Sequence, residues 1–218
     1  NNRSEAIIRE AIRKISSFQM ANGDFSVWPG SNYVNDWASV YAAHFLSEAA
    51  HKGFYVPENL TKSWLLVQRE KADRYVRKNQ WDESMQAYRL YVLALYDRAM
   101  IGAMNRLREG EKQNTVTPWL LAAAYEKAGF SETAHSLISG NGLPFGEYPL
   151  FAENFASRLR DRAIILFAAH ELKLKEQIFP GISAVVKELN QSDFYDTQSL
   201  GFSLLALGKS TAVRSDSL

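Results

Sequence analysis

The chain contains no cysteine in its 218 residues. Disulfides, a thiolate nucleophile and cysteine-ligated zinc are therefore excluded within it. The compartment stays open, because a thiol-free protein tolerates oxidising and reducing surroundings alike. No apolar run reaches the ~20 residues needed to cross a bilayer. Neither charge sign dominates: 25 Lys and Arg stand against 24 Asp and Glu, a formal charge of +1, with no basic block or acidic tail. Nucleic-acid binding thus has no electrostatic support. Strand signals are nearly missing. No signal peptide precedes the abrupt start at Asn1-Asn2-Arg3, as expected of a mature product or of a piece of something longer.

What the sequence does hold is 46% hydrophobic and 22% charged residues, the composition of a soluble globular protein with one good core, or two small ones at most. Its 12 Phe, 10 Tyr and 5 Trp predict close packing of many helix pairs.

Helical periodicity recurs throughout. About Ser4 to Gln19 is one-sided, with Ile7, Ile8, Ala11, Ile12, Ile15 and Phe18 on one face. Asp36 to Lys52 is apolar nearly all round, with Asp36 expected as N-cap and Gly53 just past the end. Pro57 opens a one-sided helix to about Asn79, rich in Lys and Arg but interrupted by Glu58, Glu70 and Asp73, so a solvated outer face is expected. Asp82 is expected to cap an encircled helix reaching Met100, followed by a short polar helix near Ala103 to Arg108. Thr117-Pro118 opens a third encircled helix to Lys127, stopped by Gly129. Ser131 starts a short outer helix, residues 140–157 read as a long loop, and Arg160 to Leu172 is the fourth encircled helix. An outer helix from Pro180 to about Asn190 and an apolar one from Thr197 to Leu207 complete the set, before a small polar tail.

One-sided and encircled helices thus alternate in about five pairs of roughly forty residues, a period that marks a helical repeat array. An open superhelix exposes both layers and does not need every second helix apolar on all faces. A ring of inner helices inside a ring of outer ones does. The expected fold is all-α, an α/α-toroid of about five hairpins like that of terpenoid cyclases and protein prenyltransferases. Residues 1–208 would form a single domain and 209–218 a polar tail.

Chemistry-bearing patterns are few. The stretch Gln19 to Gly30 reads as a structural corner: Asn22-Gly23 for the turn, Phe25 and Trp28 for a groove between helix ends, Pro29-Gly30 as the exit. His44, Glu48 and His51 share a face of one helix, a weak metal candidate that would need a fourth ligand from elsewhere. Asp161 between Arg160 and Arg162 suits an ion pair or a first-turn anion, and Asp193 and Asp196 suit capping. Asp36, Glu147 and Glu153 are loop or helix-end carboxylates that a toroid glycosidase could pair. Catalytic residues and cofactors are not expected.

Five stretches together resemble the thioester domain of alpha-2-macroglobulin-like proteins, especially the bacterial ones. Gln19 to Gly30 resembles the family's Gln-x-x-Asp-Gly-Gly-Phe-x-x-Trp corner, with Asn22 for its Asp and Asp24 for its second Gly. Asn35 to Leu46, led by Asp36-Trp37, resembles its Trp-Leu-Thr-Ala-Tyr-Val helix, and Gly53-Phe54-Tyr55-Val56-Pro57 follows in the expected place. Arg160 to Leu166 resembles its Arg-Asp-x-Ala-x-Leu helix, and Asp196-Thr197-Gln198 its late Ser-Thr-Gln helix start. The resemblance implies an α/α-toroid and a role in trapping proteases outside the cytoplasm, in the periplasm or at the cell surface. Other domains of a parent protein, and target proteases through it, are the implied partners. The family's Cys-x-Glu-Gln thioester segment lies upstream of the corner, and neither Cys nor such a motif is present here, so a structural and docking role is expected. An enzyme of the glycosidase, lyase or cyclase type and a helical-repeat scaffold remain the alternatives.

Overall fold

A helix that is apolar on every face must be covered on every side, whereas one apolar stripe needs cover on one side only. The computed structural model meets both demands with two layers; it describes residues 2–78, 80–110, 115–139, 157–191 and 195–215. The described residues form ten α-helices and no strand beyond the isolated bridge Gln19–Phe25: α1 (Asn2–Ser17), α2 (Asp36–His51), α3 (Glu58–Asp73), α4 (Gln80–Leu95), α5 (Ile101–Glu109), α6 (Thr117–Lys127), α7 (Ser131–Ile138), α8 (Arg158–Glu171), α9 (Lys175–Leu189) and α10 (Thr197–Ser215).

The even-numbered helices are the inner ones. Every residue from Leu120 to Tyr125 and from Ala163 to Ala169 is buried, as is most of α4. Alanines in α2, α6 and α8 let these backbones approach, while Leu, Ile, Phe and Trp between them contribute about 1.5–3 kcal/mol each on full burial. Packing runs from α2 to α4, α6, α8 and α10 in turn, with α3, α5, α7 and α9 laid outside them and α1 against α2. Side chains then carry α10 back to α2: Phe202 meets Tyr41 at 5.4 Å and Trp37 at 6.4 Å between ring centroids, and Trp37 Nε1 donates to Gln198 Oε1 at 3.2 Å. An open superhelix would leave the last inner helix remote from the first. These contacts bring the last inner helix back to the first.

The repeat is written most plainly where four inner helices end. After α2, α4, α6 and α8 the chain enters the left-handed region at Gly53, Asp97, Gly129 and Lys173, with φ of 84°, 55°, 85° and 56°. Each time two hydrogen bonds close the end in the same way. Phe54, Arg98, Phe130 and Leu174 donate to the carbonyls of Ala49, Leu93, Tyr125 and Ala169, and the left-handed residues donate to Ala50, Ala94, Glu126 and His170. This is the Schellman arrangement, which satisfies carbonyls that a helix end leaves unpaired. Glycine marks only two of the four in the sequence.

Several boundaries differ from the sequence-based expectation. Asn35, not Asp36, caps α2: its Oδ1 accepts from Ala38 N at 2.9 Å, which frees the Asp36 carboxylate. Helix α3 stops at Asp73 rather than near Asn79, because side chains of the next helices take its last carbonyls: Gln86 Nε2 donates to Ala72 O at 3.0 Å and an Arg106 nitrogen to Asp73 O at 3.1 Å. Asp82 lies within the first turn of α4, where its carboxylate accepts from Lys78 N. Ser157 caps α8, which begins at Arg158, two residues before the expected start. Helix α9 begins at Lys175 with Pro180 inside it; the missing N–H would have paired with the Glu176 carbonyl, which lies in the exposed first turn where water can replace it. Helix α10 continues past Leu207 to Ser215, and Lys209 within it is ion-paired to Glu171 at 2.6 Å.

Candidate functional site

The corner after α1 is built from inside the chain outward. Asn22 Oδ1 accepts from Asp24 N at 3.1 Å, and Gly23 takes a φ of 97°. A Cβ at Gly23 would lie 2.6 Å from the Ser63 carbonyl oxygen, so here both backbone conformation and close approach demand glycine. Gln19 Nε2 donates to Gly23 O at 3.0 Å and to Leu60 O at 2.8 Å, pinning the turn to α3. Phe25 is buried, as expected. Trp28 is not: it is 69% exposed, because Val27 N bonds Tyr33 O and Ser31 N bonds Trp28 O, closing a small loop that stands off the helices.

The corner's centre is a residue that the sequence presents only as turn-compatible. Asp24 is 1% exposed and its carboxylate accepts from Phe25 N (3.0 Å), Ser39 Oγ (2.5 Å), Gln68 Nε2 (3.1 Å) and Lys71 Nζ (2.5 Å). Trp64 Nε1 donates to Ser39 Oγ at 3.0 Å. Lys71 also reaches Asp36 at 2.6 Å, and Arg89 bonds Asp36 (2.9 Å), Gln68 Oε1 (3.0 Å) and Gln86 Oε1 (2.8 Å). Two carboxylates and two cations thereby lock the corner loop, α2, α3 and α4 together. Burial alone would raise the Asp36 carboxyl; Arg89 and Lys71 outweigh it and hold it below its ordinary value. Lys71, expected on a solvated face, instead turns inward in register with Trp64 and Gln68. Those three positions share one face of α3, and polar residues among them were the available signal. An open cleft of about 480 Å³ adjoins the cluster, lined by Asp36, Lys71, Arg74, Tyr75, Met85 and Arg89 among others. Of its four cations, Lys71, Arg74 and Arg89 are ion-paired, and the fourth is Lys78. Three of the four donors to Asp24 fall on Oδ1 and the Lys71 ammonium falls on Oδ2, so the carboxylate is a buried, charge-paired acceptor of the corner.

A second charged cluster lies at the other end of α2. Glu171 pairs with Lys127 at 2.5 Å and Lys209 at 2.6 Å, and Glu48 lies 3.9 Å from Lys209. His44 is 2% exposed; its Nδ1 meets Tyr88 Oη at 3.0 Å and its Nε2 lies 3.8 Å from Glu48 Oε1. His44, then Lys209 and His51, hold the Glu48 carboxyl well below its ordinary value against the effect of burial. The metal candidate does not assemble. His51 Nδ1 folds back onto the Ser47 carbonyl at 2.8 Å, and no group of three or more His, Cys, Asp or Glu among the described residues is placed to hold a metal ion.

Between the two clusters aromatic side chains fill the space among the inner helices. Trp37 is fully buried, 4.8 Å from Tyr88, with the Arg160 guanidinium 4.5 Å from its ring centroid. His44 meets Tyr91 and Phe167 edge-on at 5.6 and 5.5 Å. Asp161 is ion-paired to Arg160 at 2.6 Å, and burial pushes its carboxyl up despite that neighbour. Asp196 caps α10 by accepting from Ser199 N at 2.8 Å. Glu147, Glu153 and Asp193 lie outside the described residues.

No protein-family model matches the chain. In sequence it is similar to the alpha-2-macroglobulin of Xylella fastidiosa (strain Temecula1), 29% identical over 175 residues, which cover 74% of this chain and 11% of that protein. In fold it is similar to native Escherichia coli alpha-2-macroglobulin spanning domain MG7 to the C-terminus, with a TM-score of 0.78 and 19% identity over 91% of this chain and 33% of that one. Salmonella alpha-2-macroglobulin reacted with methylamine gives a TM-score of 0.76 at 23% identity, covering 90% of this chain and 14% of that one. The chain thus spans about one-ninth of the length of the curated relative, and the resemblance read from its motifs extends to overall sequence and fold.

Proposed function

We propose that this chain is the thioester-domain-like module of a longer alpha-2-macroglobulin-like protein that traps or inhibits proteases outside the cytoplasm. The observation that carries it is the agreement of fold and sequence with bacterial alpha-2-macroglobulins across most of the chain. With no cysteine, the module supplies no thioester of its own, and its part is structural and docking. It is not an enzyme. The interior supports this reading: of the carboxylates that a toroid glycosidase could pair, Asp36 is held by Arg89 and Lys71 while Glu147 and Glu153 lie outside the described residues, and the buried Asp24, Asp161 and Glu171 are each paired to cations. The corner of Gln19, Gly23, Phe25 and Trp37 serves as a rigid frame, not as a ligand pocket.

The test uses the full-length protein that encodes this chain. Trypsin incubated with it should keep its activity on a small chromogenic peptide and lose most of its activity on a large protein substrate, because a trapped protease admits only small molecules. Equal activity on both substrates, with and without the protein, would overturn the proposal.

A further inference from the structure

The loop from Phe25 to Asn35 carries no charged side chain, in a chain where 22% of residues are charged. Two of its aromatics stand in solvent: Trp28 is 69% exposed and Tyr33 65%. They rise from one small knuckle, closed by Val27 N to Tyr33 O and Ser31 N to Trp28 O, both at 3.0 Å. Ser26 Oγ bonds the Trp28 carbonyl at 2.7 Å, and Ser31 Oγ accepts from Tyr33 N at 3.0 Å. The knuckle is carried by the corner that Asp24 and Gly23 fix in place. Presenting an indole to water on a rigid mount has no value for folding, since it buries nothing within the chain. Exposed Trp and Tyr on a loop that carries no charge of its own match the centre of a protein–protein interface, where charged residues are depleted and aromatic anchors carry most of the energy. A mount that is already ordered loses little entropy on docking.

We infer that Trp28 and Tyr33 anchor this module against an apolar, uncharged surface of another domain of the same polypeptide. This rests on reading the chain as one module of a longer protein. The occupant follows from two observations. The chain spans 11% of its curated relative, so most of such a protein lies outside it and is available to cover the patch. The absence of charge in the loop excludes acidic or basic partners, nucleic acid included, as the preferred ligand.

Hydroxyl-radical footprinting with mass spectrometry on the full-length protein tests this, with each rate normalised to the same residue in the unfolded protein. The internal reference is Tyr55, 78% exposed and beyond the opposite end of α2. Trp28 and Tyr33 should be oxidised at least five-fold more slowly than Tyr55 at every protein concentration, and Trp28→Ala should return Tyr33 to within two-fold of Tyr55. Rates matching Tyr55 in the unmodified protein would overturn the docking surface and leave the module reading intact. Protection that vanishes on dilution would assign the patch to a second copy instead and also overturn it. An intact mass no greater than that of this chain would overturn both.

Discussion

The two charged clusters at the ends of α2 have the same inventory, two carboxylates and two cations, and opposite quality. At the corner, Asp24 and Asp36 receive Lys71 and Arg89 together with neutral donors from Ser39, Gln68 and the Phe25 backbone. Asp36 also sits in the first turn of its helix, where a negative charge is favourable. At the far end, Glu48 and Glu171 occupy last turns, where the helix dipole disfavours them, and rely on Lys127 and Lys209. Near them, His44 Nε2 and Tyr91 Oη are buried without a hydrogen-bond partner among the described residues, as Tyr75 Oη is beside the corner. A buried ion pair returns its desolvation cost only when its remaining hydrogen bonds are made. By that criterion the corner is a fixed point of the fold and the far end is the softer of the two.

Breaking the corner should therefore cost most. Asp24→Ala removes one of the two carboxylates that hold Lys71 and leaves the buried donors of Ser39 and Gln68 without their acceptor, and is expected to destabilise by about 3–5 kcal/mol, read by urea unfolding. Asp24→Asn keeps an acceptor for Ser39 and should cost less. Gly23→Ala comes next: it forces a side chain onto the Ser63 carbonyl at positive φ, for a loss of about 3 kcal/mol from combined overpacking and left-handed strain.

The far end should show itself in acid. A carboxylate whose folded pKa lies below its unfolded one contributes stability above the unfolded value and loses it as pH falls through the folded value. Glu48 is drawn from 4.5 to about 2, so its share of the unfolding free energy should hold above pH 4.5 and decline toward pH 2. Asp36 and Glu171 are also held low and add to that decline. Asp161 is held high and works the other way, regaining a little stability as acid protonates it. Lys209→Met should flatten the acid slope by removing the cation beside Glu48 and Glu171, measured as the unfolding midpoint between pH 5 and 2.

How much of this was legible follows from the same contrast. His44, Glu48 and His51 were visible because one helix places them at regular spacing, yet sequence could not show that His51 turns back onto its own backbone. Asp24 gives no such signal because its partners come from α2 and α3, up to 47 positions away, and only tertiary packing unites them. The alternation of encircled and one-sided helices was readable because burial on all sides leaves a mark at every position. Two of the four identical helix ends were readable because glycine announces a left-handed residue. Asp97 and Lys173 adopt the same conformation without announcing it, held by the same two helix-end hydrogen bonds. Lys173→Gly or Asp97→Gly should for that reason stabilise the fold by about 1 kcal/mol each, the smallest of these effects, by relieving side-chain strain at positive φ. Thermal unfolding checks this.

As a module of a larger alpha-2-macroglobulin-like polypeptide, the role proposed above, this chain should never occur alone. Intact-mass spectrometry of the protein purified from its natural source, with and without methylamine, tests this most directly. The expected result is a single polypeptide several times heavier than 24.7 kDa, with any methylamine adduct mapping outside these 218 residues. A product of about 24.7 kDa, or an adduct within this chain, would contradict it.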